Sequence, residues 1–374
     1  MGKSIAGFGH RPAGVGEFAS HPAGVNGRGA VSNSSGRFES THRVLTDDGW
    51  GTLDDEPPQL RTSVGIDATR TIIARNDSPD IPFDRSINPY RGCEHGCIYC
   101  FARPTHAYLG LSPGQDFEAQ LFAKPKAAQL LANELRKPGY TVRPMALGTN
   151  TDPYQPIDSR YQITREILKV LRDFRHPVSI VTKSNRVLRD IDILSEMAEM
   201  NLARVALSVT TLDRKLARSM EPRAPTPERR IEAIRVLSQA GIPTAVMTAP
   251  VIPALNDHEI ESILERAHEA GARNAAYVVL RLPLEIKDLF EEWLQTQQPG
   301  RAKHVMTIVR SLREGKAYNS EWGKRMKGTG VYAELISKRF KLACERLGLN
   351  REWPPQRIDL FAPPPKAGDQ LQLI

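Results

Sequence analysis

From Ile81 onward, short apolar runs alternate with longer stretches in which apolar residues recur at helical spacing. The runs at 86–90, 143–148, 178–182, 203–209, 243–250 and 275–280 predict strands. The periodic stretches at 160–174, 186–200, 228–240 and 256–270 predict helices between or after them. Six strand-helix units in series argue for an α/β fold with a parallel sheet and right-handed crossovers. Periodicity alone leaves a barrel and an open doubly wound sheet both possible. Polar residues follow every strand: Cys93 to Cys100, Thr149 to Asp152, Thr182 to Ser184, Thr210 and Thr211, Pro253 with Asn256, and Arg281. Ligand groups after all six strands predict a barrel with one mouth, because each such loop then faces a common centre.

The flanks differ in texture. Residues 1–60 hold eleven of the 27 glycines, with near-copies at His10–Val15 and His21–Val25 and no apolar period, which predicts a flexible tail. Helical patterns continue through 301–347, and a Pro-rich stretch follows Pro354. The expected organisation is a tail at 1–60, a lead-in at 61–82, a barrel at 83–285, a helical extension at 286–350 and a second tail at 351–374.

Charge adds a possible partner. Residues 301–350 carry twelve Lys or Arg and four Glu, an excess equal to the whole net charge of +8, so that segment predicts contact with nucleic acid through phosphates. Ordinary solvated helix faces are the alternative. No apolar run approaches 18 residues and no leader pattern opens the chain, so a cytoplasmic protein without a membrane span is expected. Four cysteines, three of them within eight residues, are unlike a secreted disulfide framework.

Those three carry the candidate chemistry. Cys93, Cys97 and Cys100 stand at spacings of four and three beside Gly92 and Gly96, so one loop can bring three thiolates to one metal centre. Three ligands leave a position open to a substrate. A Cys3His zinc knuckle using His95 or His106 is an alternative. Cys344 is either a fourth ligand or, with Leu335, Ile336, Phe340 and Leu347 at helical spacing, a core thiol.

The pattern Cys93-x-x-x-Cys97-x-Tyr99-Cys100 after a first strand is similar to the signature of the radical S-adenosylmethionine (SAM) superfamily. With Ser78-Pro79-Asp80, Thr151-Asp152-Pro153-Tyr154, Thr182-Lys183 and Glu221-Pro222-Arg223-Ala224-Pro225, the chain resembles relatives of spore photoproduct lyase over roughly 70–350. The resemblance implies a partial (β/α)6 barrel and a 4Fe-4S cluster on Cys93, Cys97 and Cys100. It also implies reductive cleavage of SAM to methionine and a 5′-deoxyadenosyl radical, driven by an external donor such as flavodoxin or ferredoxin.

It further implies that Lys183 pairs with the SAM carboxylate, that Ser208 and Thr210 reach carboxylate or ribose, and that Tyr99 shields the cluster near adenine. Asp152 or Thr149 would receive the SAM amino group. The competing readings are a turn cap for Asp152 and a solvated helix start for Lys183. Spore photoproduct lyase repairs DNA with a cysteine after its second strand. Met145 to Asp152 contain none, which leaves Tyr154 as a candidate hydrogen donor.

Three functions remain open: radical chemistry on nucleic acid, the same chemistry on a protein or small molecule, and nucleic-acid binding around a structural Fe-S or zinc site. Gln370-Leu371-Gln372-Leu373-Ile374 resembles the peptide by which bacterial replication and repair proteins engage the sliding clamp, with Ile374 where phenylalanine is usual.

Overall fold

The computed structural model describes residues 27–39, 41, 60–351 and 354–365. Ten strands are present among them: β1 (Ser63–Ile66), β2 (Ile73–Arg75), β3 (Arg85–Ile87), β4 (Tyr90–Arg91), β5 (Gln120–Ala123), β6 (Met145–Leu147), β7 (Val178–Thr182), β8 (Ala203–Ser208), β9 (Thr244–Val251) and β10 (Asn274–Val279). The large sheet has the order β10-β9-β8-β7-β6-β3-β2. From β3 to β10 every pairing is parallel, with Ser86 opposite Ala146, Met145 opposite Val178, Val178 opposite Ala203, Val205 opposite Thr244, and Asn274 opposite Ala245.

Each parallel strand is added on the same side as the last. A doubly wound sheet would reverse that order at a switch point, so the arrangement is barrel-like. It does not close, because β2 lies antiparallel on β3 and is not paired with β10. The six predicted strands all form, and their C-terminal ends lie at one mouth as expected.

Alternation along β7, β8 and β9 turns every second side chain inward. The helix Ile163–Asp173 buries Ile163, Ile167, Leu168 and Leu171 on one stripe against that sheet. Predicted helix 160–174 begins as a separate turn, Asp158–Tyr161, because Gln162 takes a left-handed φ of 51°. The helices Ile286–Gln297, Pro299–Ser311 and Val331–Leu347 form the extension. Cys344 lies in the main core with Ile336 and Phe340, and burial lifts its thiol to about 11. Among the described residues, no helix is long and apolar enough to cross a membrane.

Both flanks contain packed segments that polar composition concealed. Within the stretch read as an N-terminal tail, residues 28–37 form a strap: Ser32 Oγ donates to Glu292 at 2.7 Å, Asn33 Nδ2 to Asp116 at 2.8 Å, and Arg37 pairs with Glu285 at 2.7 Å. Residues 354–365 pass across the N-terminal ends of the strands, where Gln356 Nε2 donates to Val178 O and Leu202 O at 2.8 Å each. Phe361 packs there against Tyr140, Phe174 and His176. The near-copies at 10–15 and 21–25 and the peptide Gln370–Ile374 lie outside the described residues.

A small second sheet, β1-β5-β4, had no forecast. Its strands are two to four residues long, too short for an alternating pattern to show.

Candidate functional site

The cysteine loop follows β4 and is held by Phe117, Met220 and Gln155. Cys93 N donates to Phe117 O at 2.9 Å and Ile98 N to Met220 O at 3.0 Å. Gln155 grips the start of the loop, accepting from Glu94 N at 2.9 Å and donating to Gly92 O at 3.1 Å. Gly92 has a φ of 72°, and a β-carbon there would meet Phe117 O at 2.8 Å, so only glycine fits this turn.

Beneath the loop lies a buried ion pair. Arg103, fully enclosed, donates to Cys97 O at 2.9 Å, Gly96 O at 3.1 Å and Gly114 O at 2.8 Å, and pairs with Glu118. Glu118 in turn accepts from Gly29 N and Ala30 N of the strap, each at 2.9 Å. One carboxylate thus links the strap, Arg103 and the loop. Neither Arg103 nor Glu118 belongs to any motif, and their importance is visible only as charge held in an apolar interior.

Cys93 and Cys97 are buried and Cys100 partly so. Burial first, with neighbouring thiols and the Asp152 carboxylate, pushes the Cys93 thiol well above its ordinary value. Burial also raises Cys97, against the pull of the Lys183 ammonium. Proton loss from either therefore requires a strong competing cation, which a metal supplies.

Among the described residues, no three His, Cys, Asp or Glu side chains gather closely enough to hold one metal ion. Each histidine offered to a zinc knuckle engages one ring nitrogen: His95 Nδ1 faces Asp152 Oδ2 at 3.4 Å, and His106 Nε2 faces Gln120 O at 2.8 Å. Three thiols on one loop are the donor type that iron–sulfur clusters take.

Around the mouth, Lys183 extends its Nζ to 5.6 Å above the Tyr99 ring. Among the described residues its ammonium has no carboxylate partner. Tyr99 is fixed by its hydroxyl, which donates to Glu221 and lies 3.1 Å from Thr210 Oγ1. Glu221 also accepts from Thr210 at 2.6 Å and from buried Arg230, which bonds Ser208 O at 3.1 Å. Glu221 and Arg230 therefore position the aromatic residue of the cysteine motif.

Ser208 Oγ donates to Ala249 O at 3.1 Å, and Thr210 Oγ1, whose one proton goes to Glu221, lies 3.2 Å from the same carbonyl. Asp152 is likewise committed: it accepts from Thr182 Oγ1 at 2.7 Å, Lys183 N at 2.8 Å and Tyr154 N at 2.9 Å. Burial opposes its ionisation, but His95 and these donors prevail and hold its pKa at about 2. Thr149 Oγ1 makes a longer bond, 3.3 Å, to Asn88 Oδ1. Tyr154 is enclosed in the main core, and burial, with the Asp190 carboxylate, lifts its phenol well above the ordinary range.

A sheet whose parallel strands are added in chain order, with a three-cysteine loop at its mouth, defines the class: the chain belongs to the radical SAM superfamily, whose members use a 4Fe-4S cluster and SAM. The Radical SAM superfamily model matches residues 87–267. An uncharacterized protein of Mycobacterium tuberculosis is 39% identical over 285 residues, 76% of this chain and 81% of that protein. One of Methanocaldococcus jannaschii is 31% identical over 173 residues, 46% of this chain and 62% of that one. Among solved structures, a spore photoproduct lyase variant with bound AdoMet and dinucleoside spore photoproduct has a TM-score of 0.55 at 14% identity, covering 76% of this chain and 80% of that one. That likeness is one of fold.

Proposed function

We propose that Cys93, Cys97 and Cys100 hold a 4Fe-4S cluster at which SAM is reductively cleaved, and that the enzyme acts on nucleic acid. The observation that carries this reading is the loop of three thiols, clamped by Arg103 and Gln155, at the mouth of a radical SAM barrel. When bound, cluster and SAM supply a 5′-deoxyadenosyl radical that abstracts a hydrogen atom from the substrate.

The chain's own residues prepare the site. Lys183, whose ammonium has no carboxylate partner among the described residues, receives the SAM carboxylate. Asp152 spends its acceptor positions on Lys183 N, Thr182, Tyr154 N and His95, so it orients the loops and leaves Thr149 to meet the amino group. Ser208 and Thr210 border the ribose, and Tyr99, fixed by Glu221, covers the cluster side. Tyr154, shut in the core, is not assigned hydrogen return.

Nucleic acid as substrate is supported by the net charge of +8 and by the spore photoproduct lyase fold, one of whose structures holds a dinucleoside spore photoproduct. Electrons would come from a flavodoxin or ferredoxin in the cytoplasm, and Gln370–Ile374 would tether the enzyme to a sliding clamp. Mass spectrometry of nucleosides from DNA and RNA of cells with and without the gene tests the substrate class. A nucleoside whose abundance depends on the gene supports it. Identical profiles, including after DNA damage, would remove nucleic acid as the substrate.

A further inference from the structure

We infer that nucleic acid is gripped in the groove beside the cysteine loop, by Lys215 and Arg218 with Arg214 and Arg28, and not by the basic 301–350 segment. This inference rests on the nucleic-acid reading above. The groove has a volume of about 670 Å³ and runs between the strap, the helix Arg214–Met220, the Glu221–Pro227 turn and the helix Ile286–Gln297. Its wall is joined directly to the site: Met220 O accepts from Ile98 N at 3.0 Å, and Arg223 N donates to His95 O at 3.4 Å. A strand held here lies against the helix whose Met220 carbonyl holds Ile98, the residue after Cys97.

The groove's charge is unbalanced. Lys215 and Arg218 are exposed and, among the described residues, have no carboxylate partner. Arg214 is 72% exposed and only 3.9 Å from Glu228, the edge of an ion pair. Arg28 is fixed at the floor by Glu118 O and Leu60 O, both at 2.7 Å. Of the nearby acids, Asp213 caps its helix by accepting from Lys215 N and Leu216 N, and Glu221 is shut beneath Tyr99, Thr210 and Arg230.

In the 301–350 segment, six of the twelve cations are in ion pairs among the described residues. Arg310 pairs with Glu291, Lys324 with Glu314 and Glu321, Arg325 with Asp80, Arg339 with Glu261, Lys341 with Glu345, and Arg346 with Glu265. Arg313 is buried against the carbonyls of Leu280 and Lys324. Four carboxylates from outside the segment, Asp80, Glu261, Glu265 and Glu291, meet half of its excess of eight. A cation already paired within the protein neutralises a phosphate poorly and displaces few counterions from the nucleic acid, whereas an unpaired one displaces close to one.

The test is fluorescence anisotropy of a labelled 20-nucleotide DNA, single-stranded and duplex, against the reconstituted full chain over a range of KCl. The variant Lys215→Glu/Arg218→Glu should bind at least about tenfold more weakly at low salt and reduce the log-log salt slope by about 1.5. Lys303→Glu/Lys338→Glu, which reverses two exposed lysines of the basic segment, should stay within about twofold of wild type by the same reasoning. Unchanged iron content and circular dichroism establish that the variants fold.

Equal losses in both variants, or a loss in the second alone, would overturn the groove assignment while leaving the nucleic-acid reading intact. Polyglutamate competing as well as the oligonucleotide would also overturn it, since the groove would then hold any polyanion. If the wild-type chain bound neither DNA nor RNA at low salt, the nucleic-acid reading itself would fail and the groove proposal with it.

Discussion

Replacing Glu118 by alanine should loosen the cysteine loop although the residue touches no cysteine. The carboxylate accepts from Gly29 N and Ala30 N and neutralises Arg103, which is fully enclosed and bonded to the Gly96 and Cys97 carbonyls. Its removal strands a buried guanidinium and two strap amides at once. Breaking one half of a buried pair costs about 3 to 5 kcal/mol, a large share of the roughly 5 to 15 kcal/mol that holds a typical domain together. Urea unfolding of the apo chain under reducing conditions should register that loss. Iron bound per chain after reconstitution should fall as well, because the Gly96–Cys97 backbone loses its anchor. The double variant Arg103→Met/Glu118→Ala should lose less than the two single losses added, since no lone charge is then buried. A Glu118→Ala chain within about 1 kcal/mol of wild type, with full iron content, would refute the reasoning.

Other outcomes follow from the same structure. Lys183→Ala should weaken SAM binding, measured by equilibrium dialysis, by about 1 to 3 kcal/mol with iron content unchanged, because a charge-assisted bond is lost but no iron ligand. The Asp152 carboxyl is held at about 2 in the fold and returns to about 4 on unfolding, so its contribution is complete above about pH 4 and is lost as the pH falls toward 2. Between pH 5 and pH 2 the wild type should therefore lose roughly 2 kcal/mol more stability than Asp152→Asn, read by denaturant midpoints. Cys344→Ala should cost about 1 kcal/mol of stability through lost core packing and leave the iron content untouched.

Sequence pattern located the six barrel strands because each is an apolar run bounded by turn residues, and it located the three cysteines because their spacing is local. The polar residues at the strand ends were visible for the same reason, but their occupancy was not. Asp152 reads either as a SAM contact or as a turn cap until Thr182, Lys183 and His95 are seen to surround it. Glu221 reads as part of a rigid turn until Tyr99, Thr210 and Arg230 converge on it from three elements. The strap and the crossing segment at 354–365 carry Gly, Ser and Pro and bury little apolar surface of their own. Their order comes from hydrogen bonds to residues far along the chain, such as Glu292 for Ser32 and Val178 for Gln356, which no local window contains. The charge of 301–350 looks larger in sequence than in the fold for a related reason, since its acidic partners Asp80, Glu261, Glu265 and Glu291 lie elsewhere in sequence.

The central claim, that the three-cysteine loop holds the cluster at which SAM is cleaved, is tested most directly by 5′-deoxyadenosine formation. Full-length chain, reconstituted anaerobically with iron and sulfide, is given SAM and dithionite, and the product is quantified by liquid chromatography. Wild type and Cys344→Ala should both form 5′-deoxyadenosine, and Cys97→Ala should form none above the protein-free background. Formation by Cys97→Ala at the wild-type rate would contradict the account.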